Sequence, residues 1–116
     1  MKKVLVVDDE RCYWRQWQEE LPAVKIIGAS SAAEAEEKFS ANEEDIIAVV
    51  LDGSLSLAGH LDTLPLVEVF RRTFKGPIIA ASGCTDYREQ LVEAGCDHEI
   101  EKNFVARLLR DIILSL

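Results

Sequence analysis

Residues 3–10 read Lys3-Val4-Leu5-Val6-Val7-Asp8-Asp9-Glu10, an unbroken apolar run that stops abruptly at three acids. A run apolar at every position, rather than at alternate ones, is what a strand covered on both faces requires, and such strands belong to parallel sheets. Four more strand candidates follow, over residues 24–29, 45–51, 77–81 and 97–101, several of them equally apolar. Stretches of helical period lie between them. Tyr13, Trp17 and Leu21 recur at i, i+4, i+8 before Pro22 stops the first helix, and Ser31 with Glu34 forms a capping box that opens the second, turning Ala35 and Phe39 inward. The third begins near Thr63, because Pro65 is tolerated only in a first turn, and presents Val67, Phe70 and Phe74. The fourth runs from about Thr85 to a terminating Gly95. Asn103 caps the fifth, which carries Val105, Leu108, Leu109, Ile112 and Leu116. Five βα units in strict alternation imply an α/β three-layer sandwich, with helices on both faces of a five-stranded parallel sheet.

At 116 residues, 48% hydrophobic and 29% charged, the chain has material for one complete core and no comfortable second. No repeat, low-complexity tract or linker divides it, so a single domain over residues 1–116 is expected, with no output domain and with output through a partner. A net charge of −8 repels nucleic acids and anionic membranes. The apolar runs fall far below the ~20 residues that span a bilayer, and no signal segment opens the chain, which reads as cytoplasmic. Cys12, Cys84 and Cys96 are odd in number, lack metal-ligand spacing and fit reduced, buried or half-buried thiols.

In parallel α/β sheets, function collects at the carboxyl ends of the strands. The first strand ends in Asp8-Asp9-Glu10 and the third in Leu51-Asp52-Gly53. If these strands are neighbours, Asp8, Asp9 and Asp52 crowd one crevice, and carboxylates so crowded need a cation. Mg²⁺ suits oxygen ligands in a site that keeps waters for a phosphate. The fourth strand brings Ser82 and Gly83 to the same edge, and the fifth brings Lys102. A hydroxyl and an ammonium beside a metal make a receptor for a tetrahedral oxyanion.

On these motifs the chain resembles the receiver domain of two-component response regulators. They are Val-Leu-Val-Val-Asp-Asp-Glu at 4–10, Leu-Asp-Gly at 51–53, Pro-Ile-Ile-Ala-Ala-Ser-Gly at 77–83, and Gly-Cys-Asp at 95–97 followed by Lys102. The resemblance covers essentially the whole chain and implies a flavodoxin-like sheet of order 2-1-3-4-5. It makes Asp52 the phosphoacceptor, with Asp8, Asp9, Asp52 and the backbone carbonyl of Ser54 around Mg²⁺. It makes Lys102 the partner of the phosphoryl oxygens and Ser82 the hydroxyl that swings toward the acyl phosphate. The donor it implies is a histidine kinase or phosphotransfer protein. The reader it implies is a downstream protein partner, or a second copy docked through the fourth helix, fifth strand and fifth helix, where Phe104, Ile113 and Leu114 fall outside the core stripe.

Several positions depart from the family's pattern. Asn103 stands where a proline usually follows the lysine across a cis bond, so a trans bond and a different aim for Lys102 are expected. Glu99 replaces an inward-turning aromatic and reads as a solvated charge. Ser56 replaces the usual proline after the phosphoacceptor, in a long Gly- and Ser-containing loop where His60 reads as an exposed loop histidine. Ser54 and Cys84 occupy positions that tune acyl-phosphate lifetime in the family, and neither offers an acid or amide to orient water, which favours a long-lived phosphoryl state. These departures keep open a phosphorylation-independent pseudo-receiver that only binds proteins. A Mg²⁺-dependent phosphohydrolase is a weaker alternative, since no second acid stands in an Asp-x-Asp arrangement after the first strand.

Overall fold

The five apolar runs pair into one parallel sheet of order β2-β1-β3-β4-β5. A computed structural model describes residues 1–53 and 63–116. In chain order the elements are β1 (Lys3–Val7), α1 (Arg11–Glu20), β2 (Lys25–Ala29), α2 (Ala32–Asn42), β3 (Ile46–Leu51), α3 (Leu64–Arg71), β4 (Ile78–Ala81), α4 (Thr85–Ala94), β5 (His98–Ile100) and α5 (Val105–Leu114). The strands are trimmed by a residue or two at their expected ends. Pro77 has no N–H to give the ladder, although its carbonyl still accepts from Val49 N at 3.0 Å, and the Asp97 carboxylate pairs with Arg71.

Alternation along the strands divides the interior in two. Leu5, Val7, Val49, Leu51, Ile78 and Ala80 face α2, α3 and α4, whose Phe39, Phe70 and Leu91 are buried against them. Val4, Val6, Ala48, Val50, Ile79 and Ala81 face α1 and α5, meeting Trp17, Val105 and Leu109. Burial on both faces explains why these runs carry no polar positions. Phe39 lies 4.5 Å from Phe70 and 6.0 Å from Phe74, between ring centroids. Phe74 is buried as expected although α3 has already ended, because its N–H reaches Phe70 O at 2.7 Å and carries the turn on.

Helix ends follow local chemistry. Ser31 Oγ accepts from Glu34 N at 3.1 Å, while the Glu34 carboxylate turns to Lys38 at 3.0 Å, so the capping box is closed on one side only. Ser31→Ala is expected to cost about 1 kcal/mol in urea unfolding, the worth of one N-cap bond. Gly95, at φ 130°, ends α4 in a paired turn in which Gly95 N donates to Val92 O and Cys96 N to Leu91 O.

Four sequence expectations need correction. Ile113 does not stand outside the core stripe: it is half-buried and packs against the core on the α1 and α5 side of the sheet. Asn103 does not cap the last helix: it sits inside a 3-10 turn, Lys102–Phe104, that leads straight into α5. Leu116 lies beyond α5 and is 63% exposed, so it adds nothing to the core. Of the three free thiols only Cys96 is buried, with its pKa pushed up to about 12 by that burial; Cys12 and Cys84 are exposed. Among the described residues no helix is long and apolar enough to cross a membrane.

Candidate functional site

The register brings four strand ends to one edge, with Val7 level with Leu51, Leu51 with Ala80, and Ala81 with Ile100. The ladder continues one residue past two strands. Asp8 N donates to Ala29 O and Asp52 N to Val7 O, each at 2.9 Å, which pins both backbones at the edge. Asp8, Asp52 and Ser82 are buried there, 2%, 8% and 4% exposed, whereas Asp9 and Glu10 stand in solvent.

Lys102 draws these acids together. Its Nζ lies 2.9 Å from Asp8 Oδ2, 3.4 Å from Asp52 Oδ2 and 3.7 Å from Glu10 Oε1. The remaining oxygens of the buried pair are held by backbone. Asp8 Oδ1 accepts from Glu10 N at 2.9 Å, and Asp52 Oδ1 from Gly53 N at 2.8 Å. Ser82 Oγ accepts from Cys84 N at 3.1 Å and keeps its own O–H to donate. The peptide bond from Lys102 to Asn103 is trans, as Asn103 led us to expect, and the ammonium still reaches the acids.

Charge balance sets the proton affinities. Burial pushes the Asp52 carboxyl up to about 6; attraction to Lys102 opposes the shift and the Asp8 charge adds to it. Burial also raises Asp8, against the bonds from Glu10 N and Lys102. Burial works against the Lys102 ammonium, but the bond to Asp8 and the charges of Asp52, Asp8 and Glu10 outweigh it and lift its pKa above the ordinary value.

The acids outnumber their cation, and their oxygens are placed to share another. Carboxylate oxygens of Asp8, Asp9 and Glu10 lie within 4.8 Å of one another, a donor set suited to a hard ion such as Mg²⁺. Of the four expected metal ligands, Asp8 and Asp9 fall in this cluster and Asp52 shares Lys102 with Asp8. Ser54 lies outside the described residues, as do Ser56 and His60.

Four contributors have no site role in the sequence reading. Glu10 joins both the ion-pair group and the acid cluster. Tyr13, read only as part of a core stripe, puts its ring centroid 4.6 Å from Lys102 Nζ. Tyr87 covers the end of β3 so closely that a Cβ on Gly53 would lie 2.6 Å from its ring. Arg88 donates to Ser82 O at 2.6 Å and to Thr85 Oγ1 at 3.4 Å, and its Nε lies 3.7 Å from Glu99 Oε1. Glu99 is therefore an ion-pair partner rather than a purely solvated charge. The available signal was position: Tyr87 and Arg88 fall in the opening turn of the helix that follows Ser82.

A recess of about 550 Å³, lined by Glu10, Tyr13, Gly83, Glu101, Lys102 and Asn103, opens beside the ammonium. A larger groove of about 840 Å³ between α3 and α4 carries none of these groups.

No family model matches the sequence. Solved structures match over nearly the whole chain. A signal receiver domain from Bermanella marisrubri is 27% identical with a TM-score of 0.76, covering 98% of this chain and 96% of that one. A two-component response regulator from Clostridium difficile is 18% identical with a TM-score of 0.80, covering 98% and 97%. This is the response regulator receiver fold. A chain of the CheX–CheY–BeF3–Mg complex from Borrelia burgdorferi is also similar, at 20% identity and a TM-score of 0.75 over 98% of this chain and 87% of that one. In this chain Asp8, Asp52, Ser82 and Lys102 follow the carboxyl ends of β1, β3, β4 and β5 in that sheet.

Proposed function

We propose that the chain is a signalling switch of the two-component type, in which Asp52 accepts a phosphoryl group from a phosphohistidine on a histidine kinase or phosphotransfer protein. The observation that carries this reading is the half-buried ammonium of Lys102, shared by Asp8 at 2.9 Å and Asp52 at 3.4 Å. An Asp52 oxygen forms the new bond to phosphorus while the bond from phosphorus to the donor imidazole breaks, and the imidazole leaves with that electron pair. A carboxyl with a pKa of about 6 is ionised at neutral pH yet more basic than a surface aspartate, which suits a nucleophile.

Two anions must approach each other in this step, so the residues' main task is to offset charge and fix the line of attack. Lys102 meets the incoming phosphoryl oxygens, and Gly53 N–H fixes one Asp52 oxygen. Mg²⁺, bound by Asp8, Asp9 and Asp52 with the Ser54 carbonyl as a further ligand, would supply additional positive charge at the phosphoryl oxygens. Once formed, the near-dianionic phosphoryl group draws the Ser82 O–H and Lys102 toward it. That pull biases the loop after β4 and the Lys102–Phe104 turn.

We read residues 1–116 as one cytoplasmic signalling domain rather than a metabolic enzyme, passing its state on through protein contacts. Exposed Val92 on α4, Phe104 in the turn before α5 and Leu114 at the end of α5 support a docking face there for a downstream protein or a second copy. Incubation with acetyl phosphate and Mg²⁺, followed by intact mass measurement, is expected to show one added phosphoryl group, absent without Mg²⁺ and absent in Asp52→Ala. No addition to a folded sample would favour a module that binds its partner without phosphorylation.

A further inference from the structure

Lys102 stands between three carboxylates that pull in different directions, and the nearest to solvent belongs to exposed Glu10. A lysine side chain is a flexible stem with a compact charge, so something must hold the ammonium over the buried pair. The carboxylates are poor fixed points, because Asp52 changes its charge when phosphorylated and Asp8 is shared with any cation that binds. The Tyr13 ring has neither fault. It is neutral, its centroid lies 4.6 Å from Lys102 Nζ, and that is within the reach of a cation–π contact. The ring is itself fixed from below: its centroid is 5.6 Å from that of Trp17, which is 2% exposed and packs in the core beneath α1.

We infer that Tyr13 is a positioning residue for Lys102, a face that carries the rigidity of the Trp17 core to the ammonium and keeps it aimed at Asp8 and Asp52. The inference rests on the phosphoacceptor reading for its effect on rate, though not for the contact itself. Tyr13 and Lys102 both line the recess beside the site.

The test compares wild type, Tyr13→Phe and Tyr13→Leu. Tyr13→Phe keeps the ring and should take up phosphoryl from acetyl phosphate at the wild-type rate. Tyr13→Leu should be slower by about 2- to 30-fold, the span of a cation–π contact from exposed to desolvated settings. Equal rates in all three, or a loss in Tyr13→Phe as large as in Tyr13→Leu, would overturn the inference. A second readout needs no phosphorylation. The Lys102 ε-methylene protons should show an upfield ring-current shift by NMR in wild type and Tyr13→Phe, and ordinary lysine shifts in the wild type would overturn the contact even if Tyr13→Leu failed to fold. A wild type that takes up no phosphoryl group while showing the ring-current shift would defeat the phosphoacceptor reading and leave the Tyr13 contact standing.

Discussion

Lys102→Met is expected to destabilise the protein by roughly 3–5 kcal/mol at neutral pH in metal-free buffer, the cost of leaving a buried charge without its partner. Methionine roughly conserves the volume of the stem, so the loss reports the charge rather than a cavity. The Lys102 side chain is only 13% exposed, and those of Asp8 and Asp52 are 3% and 11% exposed, so water cannot take over from the ammonium. The variant can relieve the strain by protonating an acid, so its deficit shrinks as pH falls to the wild-type Asp52 value of about 6 and below. In the wild type the Lys102 pKa is raised, so its contribution is fully present below the unfolded value of 10.5 and is lost as pH rises through the folded value. Urea unfolding across that range checks both limbs. A deficit under about 1 kcal/mol at neutral pH would mean that Lys102 does not hold the acids.

Asp52→Asn should have the opposite sign, stabilising the fold at neutral pH by up to about 3 kcal/mol when no divalent cation is present. The carboxyl rises from 3.8 to about 6 on folding, and that shift is already net of the attraction from Lys102. Below the unfolded value Asp52 is protonated in both states and costs nothing. As pH climbs through 6 the folded state must carry a buried charge that the unfolded state carries in water. The gain from asparagine is therefore full above pH 6 and fades as pH falls toward 4. Asparagine keeps an oxygen to accept from Gly53 N–H, so the loop anchor survives. Mg²⁺ should narrow the gap by stabilising the wild type more than the variant, since only the wild type offers that carboxylate. Because Lys102 and Asp52 touch, the Lys102→Met and Asp52→Asn effects should not add: the double variant should be several tenths of a kcal/mol or more stronger than their sum predicts.

These two variants bear on what the sequence made legible. The architecture was readable because strands covered on both faces leave a signature that depends on no partner: Val4 to Val7 and Ile46 to Leu51 are apolar throughout. Asp8, Asp52, Ser82 and Lys102 were readable for a related reason. Asp8, Asp52 and Ser82 each follow such a run, Lys102 follows the short and more polar β5, and parallel pairing sends all those ends to one edge. The failures occur where side chains cross between elements. Tyr13 fits a core stripe by period, yet its ring turns to a lysine eighty-nine positions away, and no periodicity encodes that. Arg88 and Glu99 look like two surface charges until α4 and β5 are placed side by side. Asn103 carried a strong capping preference, and the 3-10 turn that continues into α5 overrode it. Leu116 kept the helical period after the helix that gave it meaning had ended.

The most direct test of the account is to locate the phosphoryl group. After reaction with acetyl phosphate and Mg²⁺, reduction with borohydride converts an acyl phosphate on aspartate to homoserine, and peptide mass mapping then reads its position. The account predicts homoserine at position 52 alone, formed only when Mg²⁺ was present. Label at Asp8, Asp9 or another acid, or a stable phosphate on Ser82 or His60 with none at 52, would contradict it.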